Sequence, residues 1–216
     1  NSREAPLAQP QQSPAKRNAR EKLLDAAIAV VRTQGFAASS VDELCRAAGV
    51  TKGAFFHHFD SKEALGAAAA RHWGTTTSGL FAAAPYHDPS DPLDRVLAYI
   101  DFRRDLIAGE LPEFTCYAGT LVQEAFGSSP DIRDACASAI FEHAKTLEAD
   151  IAAAATRYGV DLDPAGLARH TQAVLQGGFI LSKAAGNDAP VRESIDHLKR
   201  YVELLFGRSR SEGSAA

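Results

Sequence analysis

The stretch Ser39–Leu65, SSVDELCRAAGVTKGAFFHHFDSKEAL, decides how this chain is read. Ser40 offers a side-chain oxygen to the first free amides of a helix, and Glu43, three residues on, can reach back to it as a capping box. Val41, Leu44, Cys45 and Ala48 recur at helical spacing and give that helix a short apolar face. Gly49 ends it, because glycine enters the left-handed conformation without steric cost. Thr51 is expected to cap a second helix from Lys52 to about Phe59. Asp60 is expected to cap a third, with Glu63 in the matching capping-box position. Two short helices joined by a glycine-containing turn form a helix-turn-helix, whose second helix enters the major groove of DNA.

Within this stretch, AAGVTKGAFFHHFDSKEAL resembles the DNA-binding signature of the TetR family of bacterial transcriptional regulators. The resemblance runs from about Lys16 to Trp73, and the remainder matches in length and helical character. It implies a homodimer on a palindromic operator, and a regulatory domain whose pocket takes a small-molecule effector. It departs from the family pattern at Phe56, where a phosphate-contacting tyrosine is usual and the hydroxyl is missing here.

Outward from this stretch, Arg20–Gln34 reads as an amphipathic helix with Leu23, Leu24, Ala27, Ile28, Val30 and Val31 on its apolar stripe. Before it, Asn1 to about Ala15 is rich in Pro, Gln and Ser and reads as a disordered arm, either a solvated tail or a minor-groove arm. Lys16, Arg17 and Arg20 are placed to meet phosphate. On the other side, the helix after Asp60 is expected to end near Gly74, ahead of Thr75, Thr76, Thr77 and Ser78 and of Pro85, Pro89 and Pro92. The chain divides into a disordered arm (1–15), a helix-turn-helix DNA-binding domain (16–74), an effector-binding and dimerisation domain (75–207) and a flexible tail (208–216). In the third part, helices are expected over 92–108, 113–126, 130–158, 164–185 and 190–206. No stretch alternates with period two as strands do, and no internal repeat is present. The fold class is all-α, with about nine helices.

Charge follows the same division. Residues 1–74 hold ten Lys/Arg against seven Asp/Glu, and residues 75–216 hold thirteen against twenty, within a net charge of −4. A mildly basic head on an acidic body puts phosphate contact at one end. The three cysteines, Cys45, Cys116 and Cys136, have no metal-ligand spacing and read as reduced thiols of a cytoplasmic protein. No apolar window reaches membrane-spanning length, and no signal core opens the chain. No cofactor is expected. A Gly-rich phosphate loop, a nucleophile elbow and an HExxH motif are all lacking, which leaves an enzyme without a residue set.

For DNA, Thr51, Lys52, Gly53 and Ala54 open the reading helix, with Phe56 and His57 one turn on. Gly53 and Ala54 permit close approach, and Lys52 and His57 can donate to base or phosphate. Ser39, Ser40, Thr51 and Lys62 are expected phosphate contacts, and Phe55 and Phe59 should pack inward. For dimerisation, Leu167, His170, Thr171, Val174, Leu175, Gly178, Phe179 and Leu181 form one apolar surface, and Ile195, Leu198, Val202, Leu205 and Phe206 a second stripe. These face either a symmetry mate or their own core.

For the effector, the candidates are Trp73, Phe81, Tyr86, Ile100, Phe102, Arg104, Phe114, Cys116, Tyr117, Leu121, His143, Gln172, Gln176 and Phe179. Each serves either as ordinary core or as pocket lining for a mainly apolar ligand with a polar handle. The segment CYAGTLVQE (116–124) also resembles one in the branch of the family that senses electrophiles or oxidants through cysteine. Cys116 is therefore either a sensor or an inert thiol. The reading is a ligand-responsive transcriptional regulator, most simply a repressor. The alternative is a helical ligand-binding or cysteine redox/electrophile sensor with a vestigial DNA head.

Overall fold

A capping box at Asn18 and Glu21 starts α1 (Ala19–Gln34), and a second at Ser40 and Glu43 starts α2 (Val41–Ala48). Each pair satisfies two helix-end donors locally, so both starts are written in the sequence. Gly49 closes α2 in the left-handed conformation at φ 63°, and Thr51 caps α3 (Lys52–His58) by accepting from the Ala54 amide. This computed structural model describes residues 18–208. The expectations for the amino-terminal arm, for Lys16 and Arg17, and for the tail beyond Arg208 lie outside the described residues.

The structure departs from the expected elements in three places. The third helix is capped by Ser61, whose hydroxyl accepts from the Ala64 amide, and not by Asp60. It then continues without interruption as α4 (Lys62–Ala82), past Gly74 and the threonines. The Thr75 and Thr77 hydroxyls donate to the carbonyls of Arg71 and Trp73 one turn back. Such back-bonds satisfy the hydroxyls within the helix without strengthening it, so the continuation past the threonines does not come from their propensity. One rod of 21 residues, about six turns, thus joins the head to the body.

After a 3-10 turn at Pro85–His87 comes α5 (Pro92–Asp105), opened by Asp91 and Pro92. The segment expected as one helix over 113–126 is two, α6 (Leu111–Phe114) and α7 (Tyr117–Ala125), split by extended Thr115 and Cys116. The segment expected over 130–158 is likewise two, α8 (Pro130–Lys145) and α9 (Glu148–Tyr158). Leu147 is buried between them, so packing dictates this break and no local breaker residue marks it. α10 (Pro164–Ala185) and α11 (Ala189–Leu205) follow. The described residues are all-helical, with eleven α-helices. No helix among them is long and apolar enough to cross a membrane.

Two hydrophobic clusters hold this arrangement. The first joins Leu23, Val31, Leu44, Phe55, Phe59 and Leu65 of the head to Tyr117, Leu121, Ile132 and Cys136 of α7 and α8. The second joins Phe81, Tyr99, Ile100, Phe114, Leu147, Leu175, Phe179, Ile195 and Val202. The head therefore shares its core with the body. Tyr117 shows how closely the two fit, because its buried hydroxyl donates to the Gly66 carbonyl of α4 at 3.2 Å. Cys116 packs against both clusters, at their junction.

Candidate nucleic-acid interface and interior cavity

The reading helix stands on Phe55, fully buried, and Phe59, also buried. With these two inward, Lys52, Gly53, Phe56 and His57 point outward as exposed residues, and Ala54 is half-buried. Phe56 is 51% exposed, its ring edge-on to Phe55. A Cβ on Gly53 would meet only the Thr51 hydroxyl, at 3.8 Å, so the start of α3 presents open backbone to solvent. The Lys52 ammonium lies 3.0 Å from Asp42 of α2, with both side chains more than half exposed. Such a pair contributes little and yields to a stronger anion.

Two expected phosphate contacts are committed elsewhere. Ser39 is buried and its hydroxyl donates to the Gly35 carbonyl. The Lys62 ammonium donates to the Phe36 and Ser39 carbonyls at 3.0 and 2.9 Å and lies over the Phe36 ring. Both side chains tie the α1–α2 turn together by supplying donors to the carbonyls of Gly35, Phe36 and Ser39. Ser40 stays at the surface, its hydroxyl shared with Glu43.

That turn is also clasped from the body. Glu124 of α7 accepts the Phe36 amide at 3.0 Å and the Ala37 amide at 2.7 Å. A carboxylate holding two amides is a strong charge-assisted contact. It links α7, whose first residue follows Cys116, to the base of the head.

A cavity of about 170 Å³ opens between head and body. Of the expected lining, Trp73, Phe81, Phe114, Cys116, His143, Gln172, Gln176 and Phe179 meet on its wall. The others lie elsewhere. Tyr117, Leu121, Ile100 and Tyr86 are buried in the clusters, and Phe102 packs against the second one. Arg104 faces out and pairs with Asp196 at 2.7 Å. Their aromatic and apolar character is the same in either place, so composition could not separate core from lining.

The wall also has residues that sequence reasoning missed, chief among them Arg32 of α1 and Arg103 of α5, with Thr77, Leu80, Leu106 and Ile107. Arg32 lies on the polar side of α1 and has no sequence neighbour to signal an interior position.

A polar chain runs along one side of the cavity. Gln172 donates to the Tyr99 hydroxyl at 3.1 Å, and that oxygen lies 2.8 Å from His143 Nε2. Burial, helped by Arg103 nearby, pulls His143 down to about 3, so its ring is neutral near pH 7 and accepts the tyrosine proton. Arg103 lies over the Phe81 ring, and Arg32 over the Trp73 ring. Burial lowers the Arg32 guanidinium from its ordinary range.

The Cys116 sulfur accepts from the Gly119 amide at 3.3 Å and borders this cavity and an adjoining one with Lys183. Cys45 and Cys136 are buried, and burial raises both thiols, Cys136 to about 12.

The expected dimerisation residues divide sharply. Leu167, Thr171, Leu175, Gly178, Phe179, Ile195, Leu198, Val202 and Phe206 are buried within the chain itself, and Val174 and Leu205 are half-buried. Gly178 lets α10 and α11 approach closely, since a Cβ there would lie 2.9 Å from Val191 Cγ2. The outer face of the same two helices instead exposes Ile180, Leu181, Tyr201 and Leu204, the last at 65%. His170 and Tyr201 stack edge-on across a surface trough there.

Comparison with known proteins agrees with this anatomy. A family profile described as bacterial regulatory proteins of the tetR family matches residues 23–69. A second, described as the tetracyclin repressor-like C-terminal domain, matches residues 92–198. The transcriptional regulator AcuR of Cereibacter sphaeroides is 27% identical over 177 residues, which is 81% of this chain and 80% of AcuR. Among solved structures, a regulatory protein TetR from Rhodobacter sphaeroides superposes with TM-score 0.74 at 23% identity, covering 85% of this chain and 98% of its own. The reduced form of E. coli NemR superposes with TM-score 0.71 at 23% identity, covering 85% and 96%. The chain belongs to the TetR family, as a transcriptional regulator with a helix-turn-helix DNA-binding head and a ligand-binding carboxy-terminal domain.

Proposed function

We propose that the chain acts in the cytoplasm, without catalytic turnover, as a homodimeric repressor that leaves a palindromic operator when a small molecule fills the cavity. The observation that carries this reading is the position of the cavity. Its wall takes Arg32 and Trp73 from helices of the head and Arg103, His143 and Phe179 from the body. A ligand there touches both parts at once and biases their relative angle. Two heads read two half-sites one helical turn apart, so a small change of angle costs the fit. The coupling is reciprocal: operator weakens effector binding by the same factor as effector weakens operator binding. The DNA contacts fall to Ser40, Thr51, Lys52, Gly53, Ala54 and His57, with Phe56 supplying apolar contact. The dimer surface falls to the exposed face of α10 and α11, where Ile180, Leu181, Tyr201 and Leu204 form an apolar patch that a second copy would cover.

The test is selection of genomic fragments by the purified protein, then fluorescence anisotropy on the enriched DNA. A palindrome bound far more tightly than random DNA, with binding lost in Leu204→Asp as the protein becomes monomeric, supports the reading. Absence of any enriched site sinks it.

A second reading concerns Cys116, the one cysteine of the three that is not buried and that borders the cavity. It makes the protein an electrophile or oxidant sensor, with the head vestigial or still reading DNA. Limited alkylation followed by mass spectrometry decides it: a sensor labels faster at Cys116 than at Cys45 and Cys136, and equal labelling ends the idea.

A further inference from the structure

The chemistry of the cavity wall points to the class of its ligand. Among the described residues, the buried Nε–H of Arg32 has no hydrogen-bond partner. Its guanidinium lies over the Trp73 ring, and among the described residues it makes no salt bridge, the charge of Glu113 acting on it only from nearby. Arg103 likewise makes no salt bridge among the described residues. It lies over Phe81 and reaches the neutral His143 ring at 3.4 Å. The nearby carboxylates are already taken by backbone amides: Glu113 holds the Glu110 amide at 2.6 Å, and Glu124 holds those of Phe36 and Ala37. Glu113 also lines the cavity and its charge acts on Arg32, so the wall sets two guanidinia against one carboxylate; the excess positive charge is an arrangement that folding disfavours and that one bound monoanion would relieve. The rest of the wall is mainly apolar and aromatic, with Thr77, His143, Gln172 and Gln176 as neutral polar groups. A space of about 170 Å³ suits a molecule of roughly benzene's size, since an engineered apolar cavity of about 150 Å³ binds benzene.

We infer that the cavity takes a small organic monocarboxylate, its anionic head held by Arg32 and Arg103 and its apolar body between Trp73, Phe81, Phe114 and Phe179. This rests on the reading of the cavity as the effector site and adds the charge and size of the effector. It also assigns Arg32 the part of a direct contact between ligand and head. Arg32 stands on α1, one turn before the Gly35–Ala37 turn that Glu124 clasps from α7. A carboxylate that draws Arg32 inward pulls on the helix that carries the reading unit.

The experiment uses the full chain and matched probes: benzoate and hexanoate, their amides, benzylammonium and phenyl phosphate. Binding is followed by isothermal titration calorimetry, with operator affinity measured in parallel by anisotropy. The carboxylates should bind at least tenfold tighter than the amides, with benzylammonium silent and the larger phosphate dianion weaker than benzoate. Arg32→Gln should lose the preference for acid over amide. Its thermal midpoint should stay level or rise, because an unpaired buried charge has been removed, which separates a lost ligand contact from a lost fold. Arg103→Gln should lose part of the same preference. Amides binding as well as acids, or no acid binding while the operator is still bound, overturns the inference and leaves the regulator standing. Acid preference without operator binding does the reverse.

Discussion

One run of seven residues, Lys52–His58, supplies the reading helix, whereas Arg32, Trp73, Arg103, Phe114, His143 and Phe179 come to the cavity from six different helices. In the first region every structural decision is local. Thr51 caps, Phe55 and Phe59 face in, and the residues between them face out by helical geometry alone. In the second, no residue's role follows from its neighbours. The two regions also differ in what their polar groups do. At the reading face, Lys52 has only an exposed ion pair to give up. In the cavity, Arg32 holds a buried donor with no partner among the described residues. The face proposed to meet DNA keeps its cation in solvent, whereas the cavity wall keeps an unmet donor inside.

The sharpest way to break the contrast is to unfold the local unit alone. Phe55→Ala removes a fully buried ring and should cost about 3–5 kcal/mol, read by chemical denaturation. Because the first cluster runs from the head into α7 and α8, cavity binding should weaken along with DNA binding. If ligand binding by calorimetry is untouched, the head is more independent than the shared core indicates.

Glu124→Ala tests the strut between the regions. Losing two charge-assisted bonds at a partly exposed site should cost about 1–2 kcal/mol. It should also lower the coupling, so that saturating effector shifts operator affinity less than in the parent chain. Unchanged coupling would mean that α4 alone carries the signal.

At the reading face, Lys52→Ala should weaken operator binding about tenfold and lower the salt slope by about 1. Asp42→Ala, which removes the competitor for that ammonium, should tighten binding about twofold. Anisotropy across a salt series would show both, and equal effects of the two variants would remove Lys52 from the contact set.

An effect confined to acid pH belongs to His143. Its folded value of about 3 lies below the ordinary 6.5, so below pH 6.5 the unfolded chain takes up a proton that the folded chain refuses. Stability present above that pH is lost as pH falls toward 3. One proton corresponds to at most about 1.4 kcal/mol per pH unit. His143→Gln should flatten the slope of stability against pH in that window, and an unchanged slope would mean that the ring is already accessible.

The element starts were legible because they are local exchanges of hydrogen bonds. Ser40 with Glu43, Thr51, Asp91 with Pro92, Ser129 with Pro130 and Asp163 with Pro164 all cap where the sequence places them. Misreadings arose where two local candidates competed, as Asp60 and Ser61 did for one cap, or where tertiary contacts overrode propensity. The threonines after Gly74 stay helical because α4 lies along α8, with a Cβ on Gly74 coming within 3.3 Å of Ala139. The break near Leu147 follows burial of that side chain.

The amino-acid sequence by itself determined the capped helix-turn-helix, the all-helical class and the outward face of the reading helix, since each depends on residues within one or two turns of one another. Only the tertiary structure decided which aromatics fill the core and which line the cavity, that Ser39 and Lys62 serve the turn, and that Arg32 of α1 faces the interior. It also turned the apolar stripe of α10 and α11 inward and left Ile180, Leu181, Tyr201 and Leu204 outside. These outcomes depend on how helices distant in the chain rotate against one another, and that rotation is set by the packing of the whole core, on which periodicity along one helix is silent.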